Sequence, residues 1–332
     1  MDMENLMILY DKKYLSKRAA KNGFNRDTYE KVLRLMDVLE FLNQDDLLRD
    51  RLALKGGTAI NLLEFNLPRL SVDIDLDYTI NVGVDDMKKD RKEISDRIFR
   101  FMEEQGYLRK KSDRQSFVLD SYYFTYINTG GNKNNIKFDI NYVMRAHLYD
   151  VESRFVLPEE FGMENPVNSL NSIEIYGSKI NALNNRAAAR DLYDVYKLVK
   201  NDIFRDSKEQ LRKAVIFYHV LTSEKINGKF DLKAADKLNQ HSILRELVPV
   251  LKKGEIFILE DALKEVRNFV EDLMMITDCE MDFITRFNNG EYSPELLFED
   301  DKILNNVVNH PMAKWKASKL KKSNIFGSVI LI

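Results

Sequence analysis

Between Val72 and Ile80 the chain alternates without a break, with Val72, Ile74, Leu76 and Tyr78 set against Asp73, Asp75, Asp77 and Thr79. A period of two is the period of a β-strand, whose successive side chains leave on opposite faces. The segment therefore predicts a strand with one apolar and one acidic face. Like charges this close repel one another, so the acidic face is either wet or neutralised by a cation. Asp73 and Asp75 leave the same face, roughly 6–7 Å apart along the strand. Two carboxylates so placed suit magnesium, which takes oxygen ligands and commonly keeps substrate phosphates in its shell, and they suit metal-assisted displacement at phosphorus. The plainer reading is a pair of solvated strand residues. Asp77 extends the row as a strand-end or supporting group.

Fifteen or so residues upstream, Gly56-Gly57-Thr58 follows the short apolar run Leu52-Ala53-Leu54 and opens a helical stretch over 58–65 that Pro68 closes. Backbone without Cβ approaches a phosphate closely, and the exposed N–H groups of a helix start favour an anion. Gly56, Gly57 and Thr58 are thus candidates for a triphosphate cradle just ahead of the acidic strand.

The first half reads as α+β. A helix is expected over 26–43, where Tyr29, Val32, Leu33, Met36, Leu39 and Leu42 recur at threes and fours behind Asn25 or Asp27 as cap. Another is expected over 85–105. Strands are expected over 116–128 and 135–144, joined by a hairpin at Thr129-Gly130-Gly131-Asn132. After Pro166 the pattern turns helical, with candidates over 179–200, 207–222, 231–252 and 258–287 and punctuation at Gly228 and Gly254. A chain of 332 residues favours two domains. The boundary falls between about 150 and 178, which gives a core over 1–170 and a mostly helical lobe over 171–332.

The net charge of −2 means there is no bulk attraction to phosphate. A nucleic-acid contact would need a local basic patch. Lys314-Trp315-Lys316-Ala317-Ser318-Lys319-Leu320-Lys321-Lys322, with the sole Trp, is one candidate, and Lys12, Lys13, Lys17, Arg18 and Lys21 form another. Both also read as solvated faces, and Tyr122, Tyr123, Phe124 and Tyr126 read as sheet core rather than stacking platforms. Cys279 is alone and His147, His219, His241 and His310 are scattered, which excludes an intrachain disulfide and a thiolate zinc site. A reducing compartment, the cytoplasm, is expected. Met1 to Tyr10 lacks the pattern of a signal peptide, and no apolar run reaches 18 residues, so no membrane span is expected.

The order Gly-Gly, short helix, Asp-x-Asp resembles the polymerase-β-type nucleotidyltransferase superfamily. The finer pattern, Lys55-Gly56-Gly57-Thr58-Ala59 before Arg69-Leu70-Ser71-Val72-Asp73-Ile74-Asp75-Leu76, resembles the AbiEii/AbiGii toxin family. A second block agrees with it: Lys179-Ile180-Asn181-Ala182-Leu183, then Arg186, then Arg190-Asp191-Leu192-Tyr193-Asp194. Glu291 to Leu297 and His310-Pro311-Met312 are similar to segments of the same relatives. The resemblance runs from about 30 to 316.

It implies a nucleotidyltransferase core of mixed β-sheet and flanking helices followed by a helical lobe, with Mg2+ as cofactor and a nucleoside triphosphate as substrate. It also implies a toxin of a toxin–antitoxin or abortive-infection system with a cognate antitoxin protein, and an RNA acceptor, with the tRNA acceptor end favoured. AMP transfer to a protein, or nucleotide or antitoxin binding without turnover, are the alternatives. Asp73, Asp75 and Asp139 are the implied metal set, with Asp139 also a candidate base. Lys179 and Arg186 are expected at the triphosphate. Asp191 is the favoured helix acid over Asp194, though Arg190 and Asp194, four apart, also suit an ordinary helical ion pair. Ser71 reads as a strand-start serine or as a phosphorylation target that would add charge beside the carboxylates. Arg69 reads as a phosphate contact or a loop cap.

Overall fold

The structure, a computed structural model, describes residues 10–110, 113–224 and 226–329. The leader reading of Met1 to Tyr10 therefore lies, except for Tyr10, outside the described residues. The chain packs as two compact units. The first is Met1–Val143 with Val151–Ser169 and Leu244–Ile256, and the second is Met144–Asp150 with Leu170–Ile243 and Phe257–Ile332.

The first unit is built on one mixed sheet. Its strands are β1 (Leu52–Leu54), β2 (Asp73–Tyr78), β3 (Leu108–Arg109), β4 (Arg114–Gln115), β5 (Leu119–Ile127), β6 (Lys133–Asn141), β7 (Glu152–Arg154) and β8 (Val167–Ser169). Their order is β3-β5-β6-β2-β1-β8-β7, with β4 on β5. The central β2 runs parallel to β6 and antiparallel to β1. The alternation read from sequence is the reason: Ile74 and Leu76 go into the core, while Asp73 and Asp75 stay half-buried on the other face. The β5–β6 hairpin turns where expected, with Asn128 N–H bonded to Asn132 O at 2.9 Å and Gly131 at φ +83°.

The helices of this unit are α1 (Lys12–Lys21), α2 (Arg26–Gln44), α3 (Asp46–Arg51), α4 (Gly56–Ala59) and α5 (Val84–Glu104). Asn25 caps α2 by accepting the Asp27 and Thr28 N–H groups, and the helix buries its apolar stripe of Tyr29, Val32, Leu33, Met36, Leu39 and Leu42. Helix α4 runs on into a π-turn, Ile60–Glu64.

The second unit is helical: α6 (Ser172–Asn185), α7 (Ala189–Asn201), α8 (Lys208–Thr222), α9 (Leu259–Leu273), α10 (Asp278–Asn288), α11 (Asp301–Val307) and α12 (Pro311–Val329). Gly177 lets α6 lie close on α8, since a Cβ there would stand 2.9 Å from the Ala214 Cβ.

Two helical expectations are corrected. The stretch 231–252 breaks into short turns, from Lys233–Lys237 to Val248–Val250. Leu232 takes a left-handed φ of +50° at its start and Pro249 stands near its end, and neither suits a continuous helix. The stretch 258–287 is two helices, because Thr277 and Glu280 form a capping box that starts α10 afresh.

Candidate active site

The acidic face of β2 is best followed in rows that cross the sheet. In the parallel β2–β6 register Asp73 pairs with Lys137, Asp75 with Asp139, and Asp77 with Asn141. In the antiparallel β5–β6 register Asp139 pairs with Ser121 and Lys137 with Tyr123. Paired residues of adjacent strands share a face. One row is thus Asp75–Asp139–Ser121 and its neighbour is Asp73–Lys137–Tyr123.

Two carboxylates directly across from each other are destabilising unless something compensates. Asp139 is compensated from both sides. Lys137 Nζ forms an ion pair with its Oδ2, and Ser121 Oγ donates to its Oδ1 at 2.6 Å. Burial works against the Lys137 charge, but the Asp139 carboxylate outweighs it, with smaller help from Tyr123 and Asp73, so the ammonium's pKa is raised. Asp77 is buried and paired with Lys55 Nζ at 2.5 Å. It is a supporting group, as its place at the end of the row suggested.

The glycines sit directly above this face. Gly56 has φ +68°, and a Cβ on it would lie 2.6 Å from Asp75 Oδ2. The absent side chain lets the loop lie close against that carboxylate. Lys55 N–H donates to Asp75 O at 2.9 Å, which fixes the loop to the strand. A Cβ on Gly57 would lie 2.7 Å from Arg69 Nη2 and 3.2 Å from Ser71 Oγ. Arg69 is buried at 2% exposure, donates Nη1 to Leu70 O, and pairs through its backbone with Leu251. Its place is under the glycine loop. The Thr58 hydroxyl, expected at the phosphate cradle, is instead buried and donated to Asp73 O at 2.6 Å. It ties helix to strand.

Among the described residues, no group of three or more His, Cys, Asp or Glu side chains is gathered closely enough to hold a metal ion. Asp73, Asp75 and Asp139 share a face without being drawn into one coordination shell. Their donor chemistry nonetheless fits a hard divalent cation, since all three offer carboxylate oxygens.

In the second unit, α6 and α7 bring together the other predicted residues. Lys179 Nζ lies 2.8 Å from Asp191 Oδ1 and 3.3 Å from Asp194 Oδ2. Arg186 Nε donates to Asp191 Oδ2 at 2.9 Å. Burial opposes ionisation of Asp191, but Lys179 and then Arg186 outweigh it and hold its pKa down to about 2. Both helix acids, rather than one, hold Lys179.

Sequence reasoning missed Lys137, Ser121 and the pairing of Lys55. Lys137 carried a signal: it precedes Asp139 by two on an alternating strand, which puts both on one face.

The family described as nucleotidyl transferase AbiEii toxin, type IV TA system, matches residues 40–270. Among solved structures the chain is similar to MenT4, a nucleotidyltransferase toxin of Mycobacterium tuberculosis H37Rv. The TM-score is 0.59 at 16% identity, covering 90% of this chain and 97% of that one. That likeness is one of fold. No curated protein matches the sequence.

Proposed function

The chain belongs to the AbiEii family of nucleotidyltransferase toxins of type IV toxin–antitoxin systems, and from that premise we propose that it transfers a nucleotide from a nucleoside triphosphate to RNA, with Mg2+ as cofactor. The observation that supports the site assignment is the sheet face shared by Asp73, Asp75 and Asp139, with the Gly56 loop packed close on Asp75. Asp73 and Asp75 are the residues to hold magnesium, with Asp139 beside them as a further ligand or base. When bound, the ion would supply charge neutralisation at the phosphates. The Gly56, Gly57 and Thr58 backbone at the start of α4 binds and orients the triphosphate. The second unit has a cationic cluster of its own, Lys179 and Arg186, in which Asp191 and Asp194 position Lys179. The tRNA acceptor end is the favoured acceptor and the cytoplasm the favoured compartment. Membership of a toxin–antitoxin family implies a cognate antitoxin. Among the described residues, no helix is long and apolar enough to cross a membrane.

The test is incubation with labelled nucleoside triphosphates, magnesium and total RNA, followed by gel separation. Label should enter RNA with the wild type and not with Asp73→Ala. If the wild type labels RNA no more than Asp73→Ala does, the RNA claim falls. Label in protein instead would make this an AMP-transferase of the protein-modifying kind.

A further inference from the structure

The last described helix, α12, carries a charge imbalance found on no other helix of its unit. From Pro311 to Val329 it has five lysines and no Asp or Glu. Elsewhere in the same unit Lys200, Lys208, Arg212, Lys213, Arg286 and Lys302 each sit against a carboxylate. On α12 the partners are different. Lys314 Nζ donates to the Asn309 amide oxygen and Lys316 Nζ to the Ser223 carbonyl, while Lys319 Nζ lies 5.4 Å from the centre of the Trp315 ring. None of these partners brings negative charge. Burial, then the nearby Lys319 charge, pushes Lys316 down to about 8.

Helical geometry sorts these residues. At about 100° per residue, Lys321, Lys314, Ser318, Lys322, Trp315 and Lys319 fall in that order within an arc of about 160°. All six are exposed. Ala313 and Ala317, on the opposite side, are buried. One face is therefore four exposed lysines around the protein's single Trp, a residue 57% exposed. An exposed indole among cations is what a single-stranded nucleic acid needs, with phosphates over the lysines and a base on the ring.

We propose that this face of α12 docks a single-stranded segment of RNA, one base stacking on Trp315 and the backbone phosphates lying over Lys314, Lys319, Lys321 and Lys322. The proposal rests on the RNA-acceptor reading above and names the surface that would hold such an acceptor.

Because Trp315 is the sole Trp, intrinsic fluorescence of the full chain reads the contact directly. Titration with a short single-stranded oligoadenylate is expected to quench the emission. The logarithm of affinity should fall with the logarithm of salt at a slope of about −3, as roughly four phosphate contacts on a single strand imply. The exposed pair Lys319→Glu with Lys322→Glu, and separately Trp315→Ala read by a labelled oligonucleotide, should each weaken binding about tenfold or more. Asp73→Ala, in the other unit, should quench like the wild type. Unchanged affinity in the α12 variants, while the wild type still labels RNA, overturns the docking face and leaves the acceptor reading intact. Quenching without any labelling of RNA supports the face and removes the acceptor reading. A blue shift with phosphatidylserine vesicles, and no response to RNA, overturns the face in favour of a membrane surface.

Discussion

Asp75 and Asp139 face each other across the parallel strands β2 and β6, two register positions along from Asp73 and Lys137. The sheet thereby concentrates negative charge at one point and sets Lys137 against Asp139. An Asp139→Asn substitution leaves Ser121 and Lys137 without their carboxylate but barely changes volume. It is expected to slow nucleotide transfer about 10²–10⁴-fold, the usual size of a lost acid–base group, with a small change in Tm because Asp139 is partly exposed. Lys137→Met should slow transfer about tenfold by leaving Asp139 to repel Asp75. Label-transfer rates and thermal melts of both variants give the comparison, and a wild-type rate in Asp139→Asn would remove that residue from the site.

Gly56→Ala tests the close packing of the glycine loop on Asp75. The left-handed backbone there disfavours any Cβ by about 1–2 kcal/mol, and the added methyl would also press on Asp75 Oδ2. Transfer should fall about a hundredfold or more, since a displacement of about 1 Å at a reacting centre has that effect. Tm should drop by only a few degrees. Full activity in Gly56→Ala would show that this close approach is not needed for transfer.

How much of this was open to sequence reading depends on distance along the chain. The strand at 72–80, the hairpin at 129–132 and the capped helix from Asn25 are local patterns, and they appear almost where the periodicity puts them. The pairing of Asp75 with Asp139 was not legible, because parallel register joins strands more than 60 residues apart and no local signal sets it. The return of 244–256 to the first unit was hidden for the same reason. The Lys55–Asp77 pair depends on the antiparallel register of β1 and β2, which sets Ala53 opposite Asp77. The helical break inside 231–252 had a visible cause in Pro249, which hydrophobic spacing alone overrode.

Lys179 holds two buried acids, so its loss should be felt in stability as well as in turnover. Lys179→Met leaves Asp191 with Arg186, which is largely exposed, and takes from Asp194 its contact at 3.3 Å. Removing one partner of a buried pair destabilises by roughly 3–5 kcal/mol. Asp191 also fixes an acid limit. Its carboxyl is depressed to about 2 in the fold, so its contribution is complete above the unfolded value near 4 and is lost as pH falls from about 4 to 2. Lys179→Met with Asp191→Asn and Asp194→Asn should melt higher than Lys179→Met alone. If the triple variant melts no higher, the buried charges are not the cause of the loss.

Two buried histidines set a second, higher limit. His219 on α8 is 1% exposed, and burial, then the Lys316 charge, pushes it down to about 4. His310, just before α12, is fully buried, and burial, then the neighbouring His147, pushes it down to about 3. Both are neutral in the fold, whereas the unfolded chain takes up protons near pH 6.5. A depressed folded pKa means that the stabilisation is complete above the unfolded value and is lost as pH falls toward the folded one. The window for His219 is therefore about pH 6.5 to 4, and its shift corresponds to about 3 kcal/mol. Thermal melts should show Tm falling from pH 7 to 5, partly offset by Asp37, whose carboxyl burial pushes up to about 6 so that it gains stability on protonation in the same range. His219→Gln should flatten part of that slope while lowering Tm at pH 7, because Ser223 Oγ lies 2.8 Å from His219 Nδ1 and loses that partner. A slope between pH 7 and 5 that is the same in His219→Gln as in the wild type would mean that His219 is not held neutral.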